Sequence, residues 1–93
     1  MDGAFAYEGM AYTVYILRSD GDGSFYIGHT ASLSDRLRRH NEGRNPYTKA
    51  KIPWRVVYQE EYRTRSQAIE REQELKGKKS RTYIEQLVRS SRA

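Results

Sequence analysis

The 93-residue chain contains no cysteine. Disulfides, thiolate metal sites and a cysteine nucleophile are therefore excluded. The absence fits a reducing compartment, so a cytoplasmic location is expected. Long apolar runs are missing as well. None approaches the ~18 residues a membrane span needs, so no membrane-embedded segment is expected. The N-terminal stretch MDGAFAYEGM has neither a basic n-region nor an apolar h-region, and does not read as a signal peptide. Residues 1–10 read as a flexible tail, with Met1–Gly9 as an extension ahead of Met10; residues 11–93 read as a single domain. Acidic residues are the scarcer charge, 12 against 17 lysines and arginines, which leaves a net charge of +5. That balance suits a polyanionic partner, nucleic acid or an anionic surface. Charge alone leaves a basic protein without such a partner equally open.

The run AYTVYILR (Ala11–Arg18) is β-branched and aromatic and reads as a buried strand. DGDGS supplies turn chemistry, and Ser24–Gly28 then reads as the partner strand of a hairpin, ended by Gly28. Ser32 is placed to cap a helix that runs to about Glu42 and stops at Gly43, with Asp35 near its third position. Leu33 and Leu37 share its inner face. A basic loop, Gly43–Pro53, holds both prolines of the chain and leads to a third strand, Trp54–Tyr62. Thr64 and Gln67 form the pattern of a capping box for a helix over Ser66–Lys76, ended by Gly77. Ser80, or Thr82 with Glu85, caps a last helix carrying Tyr83, Ile84, Leu87 and Val88. The order β-β-α-β-α-α, with one hairpin and no βαβ repeat, predicts an α+β domain: a small three-stranded antiparallel sheet flanked by helices.

On the second helix, Ala68, Ile69 and Leu75 define the apolar stripe at about 100° per residue, and Glu72 falls inside it. An inward carboxylate needs a partner. One reading is an i,i+4 ion pair with Lys76. The other is a ligand for a divalent cation, since Mg²⁺ takes one or two carboxylates and completes its shell from water and phosphate. On the first helix, Arg36 and His40 lie one turn apart and are expected at the rim of the core. Arg38 and Arg39 point outward. Tyr15 and Tyr26 sit on the paired strands, where simple packing is an equal reading. His29 follows the second strand. No residues stand at zinc-site spacing, and neither a nucleophile elbow nor a Gly-rich phosphate loop is present.

Taken together, the order and spacing of TVYIL, FYIG, RLRRHN and AIEREQELK are similar to the GIY-YIG nuclease family. More narrowly, they resemble its short stand-alone members related to the nuclease domain of the bacterial excinuclease. The likeness covers about Tyr12 to Lys79. It implies a metal-dependent endonuclease that hydrolyses phosphodiester bonds in DNA with Mg²⁺ or Mn²⁺, in repair or recombination, with RNA not excluded. Tyr15 matches the tyrosine of the first motif, where Thr13 replaces the usual glycine. Tyr26-Ile27-Gly28 keeps the second motif. Arg36, His40 and Glu72 match the family's arginine, histidine and metal-binding glutamate. Many members also carry an asparagine downstream of the glutamate; here none follows Asn45. The resemblance implies Tyr15, Tyr26, Arg36, His40 and Glu72 as catalytic residues, with Glu72 on the metal. In the nuclease reading, Gly28 lets backbone approach the substrate closely. His29, Arg38, Arg39, Arg44, Lys49 and Lys51 are expected to join Gly28 in binding nucleic acid. Two further readings stand beside the enzyme: a non-catalytic nucleic-acid-binding module using the same basic cleft, and a basic structural protein of a ribonucleoprotein. The oligomeric state is open, with a monomer favoured.

Overall fold

The computed structural model describes residues 11–91. The expected N-terminal tail lies outside them. Three strands, β1 (Tyr12–Ser19), β2 (Phe25–Thr30) and β3 (Trp54–Tyr62), form one antiparallel sheet in the order β2-β1-β3. Helix α1 (Leu33–Asn41) follows β2; α2 (Arg65–Lys78) and α3 (Arg81–Ser90) follow β3. This is the α+β fold anticipated from the sequence. Among the described residues, no helix is long and apolar enough to cross a membrane.

The central strand explains its own composition. Val14 and Ile16 point to one face, Tyr15 and Leu17 to the other, and all four are buried. A strand covered on both faces reads as a continuous apolar run and not as an alternation. Val14 and Ile16 meet Ala68 and Leu75 of α2 and Ile84 and Val88 of α3. Tyr15, Leu17 and Trp54 pack with Tyr26, Leu33, Leu37 and Val56 on the α1 side. Between Ile16 and Leu17 the pairing with β3 slips by one residue, from Tyr58 to Val56. The extra residue, Val57, joins Tyr58 in the α2–α3 core, while Val56 turns to the other face.

Several boundaries differ from the sequence reading. β2 continues past Gly28 to Thr30, because His29 pairs with Val14 and Thr30 with Thr13. α2 runs through Gly77 and closes at Lys79, whose φ of 49° is left-handed. Gly77 is exposed with nothing near it, so the helix continues at only a propensity cost. Ile69, expected in the stripe, is 37% exposed. The basic loop contains a short 3-10 turn, Lys49–Lys51. The Thr64–Gln67 capping box forms in both directions, and the Ser80 side chain accepts from the Tyr83 amide. Ser32 stands at the start of α1, but its side chain makes no cap. Asp35 is drawn instead to Arg38 at 2.5 Å and Arg39 at 3.3 Å.

Candidate active site

Residues paired across a sheet share a face, so the register divides the predicted site in two. Tyr15, Tyr26 and Gly28 face α1; His29 faces α2. The α1 half is built around Tyr15. Its hydroxyl lies 3.2 Å from His40 Nε2, and His40 Nδ1 lies 2.9 Å from the Thr48 hydroxyl. The Arg36 charge acts on the same Tyr15 oxygen. We assign the Tyr15 proton to the bond with Nε2, which leaves Nδ1–H to donate to Thr48. Thr48 is itself held by the Trp54 indole, which donates to its carbonyl at 2.9 Å.

His40 is 1% exposed, which corrects its expected place at the rim. It lies in the last turn of α1. Its ring meets Tyr26 edge-on, with centroids 4.9 Å apart. Tyr26 is only partly buried and reaches the surface beside that ring.

Gly28 also has a different reason from the one expected. A β-carbon there would stand 2.6 Å from the Tyr15 hydroxyl oxygen and 2.8 Å from the ring carbon bearing it. The space that glycine leaves is filled by Tyr15, its direct partner across the ladder, not by open cleft.

The α2 half is anchored by one row of the sheet. His29, Val14 and Glu60 lie side by side on three strands. Two successive residues of α2 dock on the ends of that row. Arg71 forks onto Glu60 at 2.9 and 3.0 Å, and Glu72 meets His29 Nδ1 at 2.5 Å. Tyr58 and Tyr62 add their hydroxyls to Glu60. Burial would raise the Glu60 carboxyl, but the bonds from Arg71 and the two tyrosines outweigh it and bring it down to about 2.

Glu72 keeps both of its oxygens engaged. Oε1 accepts from His29, and Oε2 takes Lys76 Nζ at 2.6 Å. Arg65 approaches the other His29 nitrogen at 3.4 Å, which leaves the ring proton on Nδ1 for Glu72. The Lys76 ion pair that the sequence left open is therefore formed. Burial pushes the Glu72 carboxyl up, but the bonds from Lys76 and His29 prevail and hold it below the usual range.

The two halves are electrostatically joined. Burial, then the neighbouring Tyr26, drives the Tyr15 phenol well above its ordinary value; Arg36 pulls it down, and the Glu72 charge pushes it up again. Tyr15 thus feels groups from β2, α1 and α2 at once. Burial, then Arg36, lowers the His40 pKa, so its imidazole is neutral at neutral pH.

Among the described residues no ion pair engages Arg36, whereas its neighbours are spoken for. Arg38 binds Asp35 and Glu42, Arg39 binds Asp35, and Arg44 binds Glu42. Arg36, Arg39, His40, Arg44, Asn45 and Pro46 line a depression of about 200 Å³. Lys49 is exposed on the 3-10 turn. Lys51 stands apart from the α1 cations and lies 3.2 Å from the Ser24 hydroxyl, beside β2. Sequence reasoning missed Thr48, Arg71 and Glu60. Thr48 and Glu60 stand at no helical spacing from their partners, and Arg71, though it also meets Glu74 one turn on at 3.1 Å, reaches Glu60 only through the fold.

Residues 11–84 match the family model described as the GIY-YIG catalytic domain. The chain belongs to this family. Similar proteins include the UPF0213 proteins of Staphylococcus aureus strains Mu50 and N315. Each is 42% identical over 67 residues, covering 71% of this chain and 80% of the relative. The solution NMR structure of a UPF0213 protein from Bacillus halodurans is 36% identical, with a TM-score of 0.54 over 85% of this chain and 83% of that one. In this GIY-YIG chain the first motif, Thr13-Val14-Tyr15, and the second, Tyr26-Ile27-Gly28, lie on adjacent antiparallel strands, with Tyr15 opposite Gly28. Membership assigns the chain a nuclease-type domain.

Proposed function

We propose that the protein is a divalent-metal-dependent endonuclease that hydrolyses phosphodiester bonds in DNA. The observation that carries this reading is the convergence on Tyr15. One buried hydroxyl has a neutral histidine as proton acceptor, an arginine that no carboxylate of the described residues pairs with, and a glutamate near enough to act on it. Packing needs none of these; phosphoryl transfer has a use for each.

Arg36 is the group for the charge that builds on the phosphate oxygens, a term often worth ~3 kcal/mol or more in a water-poor site. Tyr26, at the surface beside His40, orients the attacking water. Tyr15 does not lose its proton to solvent at neutral pH, because burial holds the phenol protonated. It passes that proton to His40 Nε2 as it takes one from the water, and Thr48 keeps the imidazole in the tautomer able to accept. Among the described residues there is no group of three or more His, Cys, Asp and Glu side chains that could hold a metal. A single ionised carboxylate, Glu72, would hold Mg²⁺ or Mn²⁺ that arrives with its waters and a substrate phosphate, taking the oxygen that Lys76 now occupies. Bound there, such a cation would neutralise the phosphate and the leaving 3′ oxygen. A role in repair or recombination rests on the family likeness alone.

The test is a panel of labelled DNA and RNA structures, and plasmid nicking, with and without Mg²⁺ or Mn²⁺. Metal-dependent cleavage of DNA is expected, with Arg36→Ala lowering the rate by ~10²-fold or more while weakening binding only modestly. Binding without cleavage of any member would replace the enzyme by a non-catalytic binding module.

A further inference from the structure

A groove of about 540 Å³ lies outside the Tyr15 cluster. Ser24, Phe25, Tyr26 and Ile27 all line it. Successive strand residues face opposite ways, so a groove that touches four in a row runs along the strand's edge. β2 is an outer strand of the sheet, and this is its unpaired side. The far wall is the junction of α2 and α3.

Lys51, Lys76, Lys79 and Arg81 stand around this groove, and among the described residues no aspartate or glutamate lines it. Three of the four cations are partly balanced from behind: Lys51 by Asp22 at 3.7 Å, Lys76 by Glu72, and Arg81 by Glu85. Among the described residues, Lys79 has no ion pair. It also sits at φ 49°, a left-handed conformation that glycine adopts far more readily. Of the run KGKKSR (Lys76–Arg81), Lys76, Lys79 and Arg81 thus line the groove at the point where α2 ends, while Lys78 lies over the Tyr83 ring. Tyr26 and Lys76 belong both to this groove and to the surroundings of the proposed site, so the two are continuous.

We propose that the groove along the free edge of β2 is a binding track for the phosphate backbone of one strand of the nucleic-acid substrate, leading away from the scissile bond. This rests on the nuclease reading for the identity of the substrate. On the α1 side Arg38, Arg39 and Arg44 are paired with Asp35 or Glu42, whereas this groove gathers four cations around an opening that no carboxylate lines among the described residues. An edge strand can also accept a peptide, but the excess of cations favours a polyanion over a protein segment.

The experiment measures binding of a fluorescein-labelled single-stranded DNA oligonucleotide in EDTA over a range of salt. It compares wild type, the double variant Lys51→Ala/Lys79→Gly, and the control Arg89→Ala, which removes one charge from the far end of α3. Lys79→Gly relieves a left-handed lysine, so it is expected to fold at least as well as wild type. The double variant should bind more weakly, with the slope of log affinity against log salt reduced by about 0.7 for each lysine that neutralises a phosphate. Arg89→Ala should keep the wild-type slope. An unchanged slope in the double variant, an equal loss in Arg89→Ala, or displacement of the DNA by an acidic peptide at similar concentration would each overturn the proposal. No binding by wild type would overturn it together with the nuclease reading. Intact groove effects without metal-dependent cleavage would remove the nuclease and leave the track. Cleavage with an unchanged slope would do the reverse.

Discussion

The Tyr15 hydroxyl occupies the place where a side chain at Gly28 would begin. The two residues are direct partners in the β1–β2 ladder, and 2.6 Å separates the tyrosine oxygen from the position of the missing β-carbon. Tyr15 is fully buried and held by His40, so it has no free rotamer to retreat into. Gly28→Ala should therefore destabilise the fold by about 1–3 kcal/mol, the usual cost of overpacking a filled site. The tyrosine would move off His40, and cleavage should fall further than stability explains. Denaturant melts alongside nicking rates check both; a neutral substitution would mean that Tyr15 is free to shift.

Glu72 and Lys76 are paired at 2.6 Å, so their substitutions separate two roles. If the carboxylate only serves that pair, Glu72→Gln and Lys76→Ala should behave alike in every assay. As a metal ligand, Glu72→Gln should abolish cleavage, because a neutral amide binds Mg²⁺ poorly. Lys76→Ala should retain cleavage, since the carboxylate survives. Nicking rates at saturating Mg²⁺ decide, and wild-type rates in Glu72→Gln would end the metal-ligand role.

The pH dependence of stability follows chiefly from three lowered groups, His40, Glu72 and Glu60. A group whose folded pKa is depressed stabilises the fold above its unfolded value and loses that contribution as pH falls through the folded value. For His40 the loss starts below about 6.5, the ordinary histidine value, as the buried ring is forced to charge. For Glu72 and Glu60 it starts below about 4.3, the ordinary glutamate value, and for Glu60 it continues down toward about 2. Thermal melts from pH 8 to pH 3 should show both steps. His40→Gln should lack the first step and keep the second; an unchanged first step would assign it elsewhere.

Arg71 clamps α2 to the sheet through Glu60 and stands next to Glu72 in the chain. Both side chains of the clamp are 19% exposed, so screening by water is limited. Arg71→Met would leave a carboxylate with only two tyrosine hydroxyls. A loss of about 1–3 kcal/mol is expected from the unmet charge, together with weaker cleavage as Glu72 loses its alignment. The paired variant Arg71→Met/Glu60→Gln should recover part of the stability in urea melts. Failure to recover any would show that the clamp is not the cause.

The local elements were legible in the residues because their signals are local. A β-branched run bounded by DGDGS makes a hairpin, and Thr64 with Gln67 starts a helix, whatever lies elsewhere in the chain. The same holds for Tyr15, Tyr26, Arg36, His40 and Glu72 as candidates, since their order and spacing carry the family likeness. Their surroundings were not legible. Helical spacing places Arg36 and His40 on one side of α1, but it does not say that His40 sinks against Tyr15 and Thr48, residues 25 and 8 positions away.

Glycine at position 28 was visible, yet its reason was not, because the reason is a ring on another strand. The role of Gly77 as a helix stop failed for a related cause: a glycine weakens a helix by roughly 1 kcal/mol, too little to end one whose flanking turns are docked on the sheet. The sequence by itself determined which segments form strands and helices, through interactions reaching only a few residues, and it named the candidate side chains through the family likeness. Tertiary structure alone decided which charges are neutralised and which stay available. A carboxylate's partner is set by distance in space, and His29, Arg71 and Lys79 reach their places only when the sheet and helices close around them.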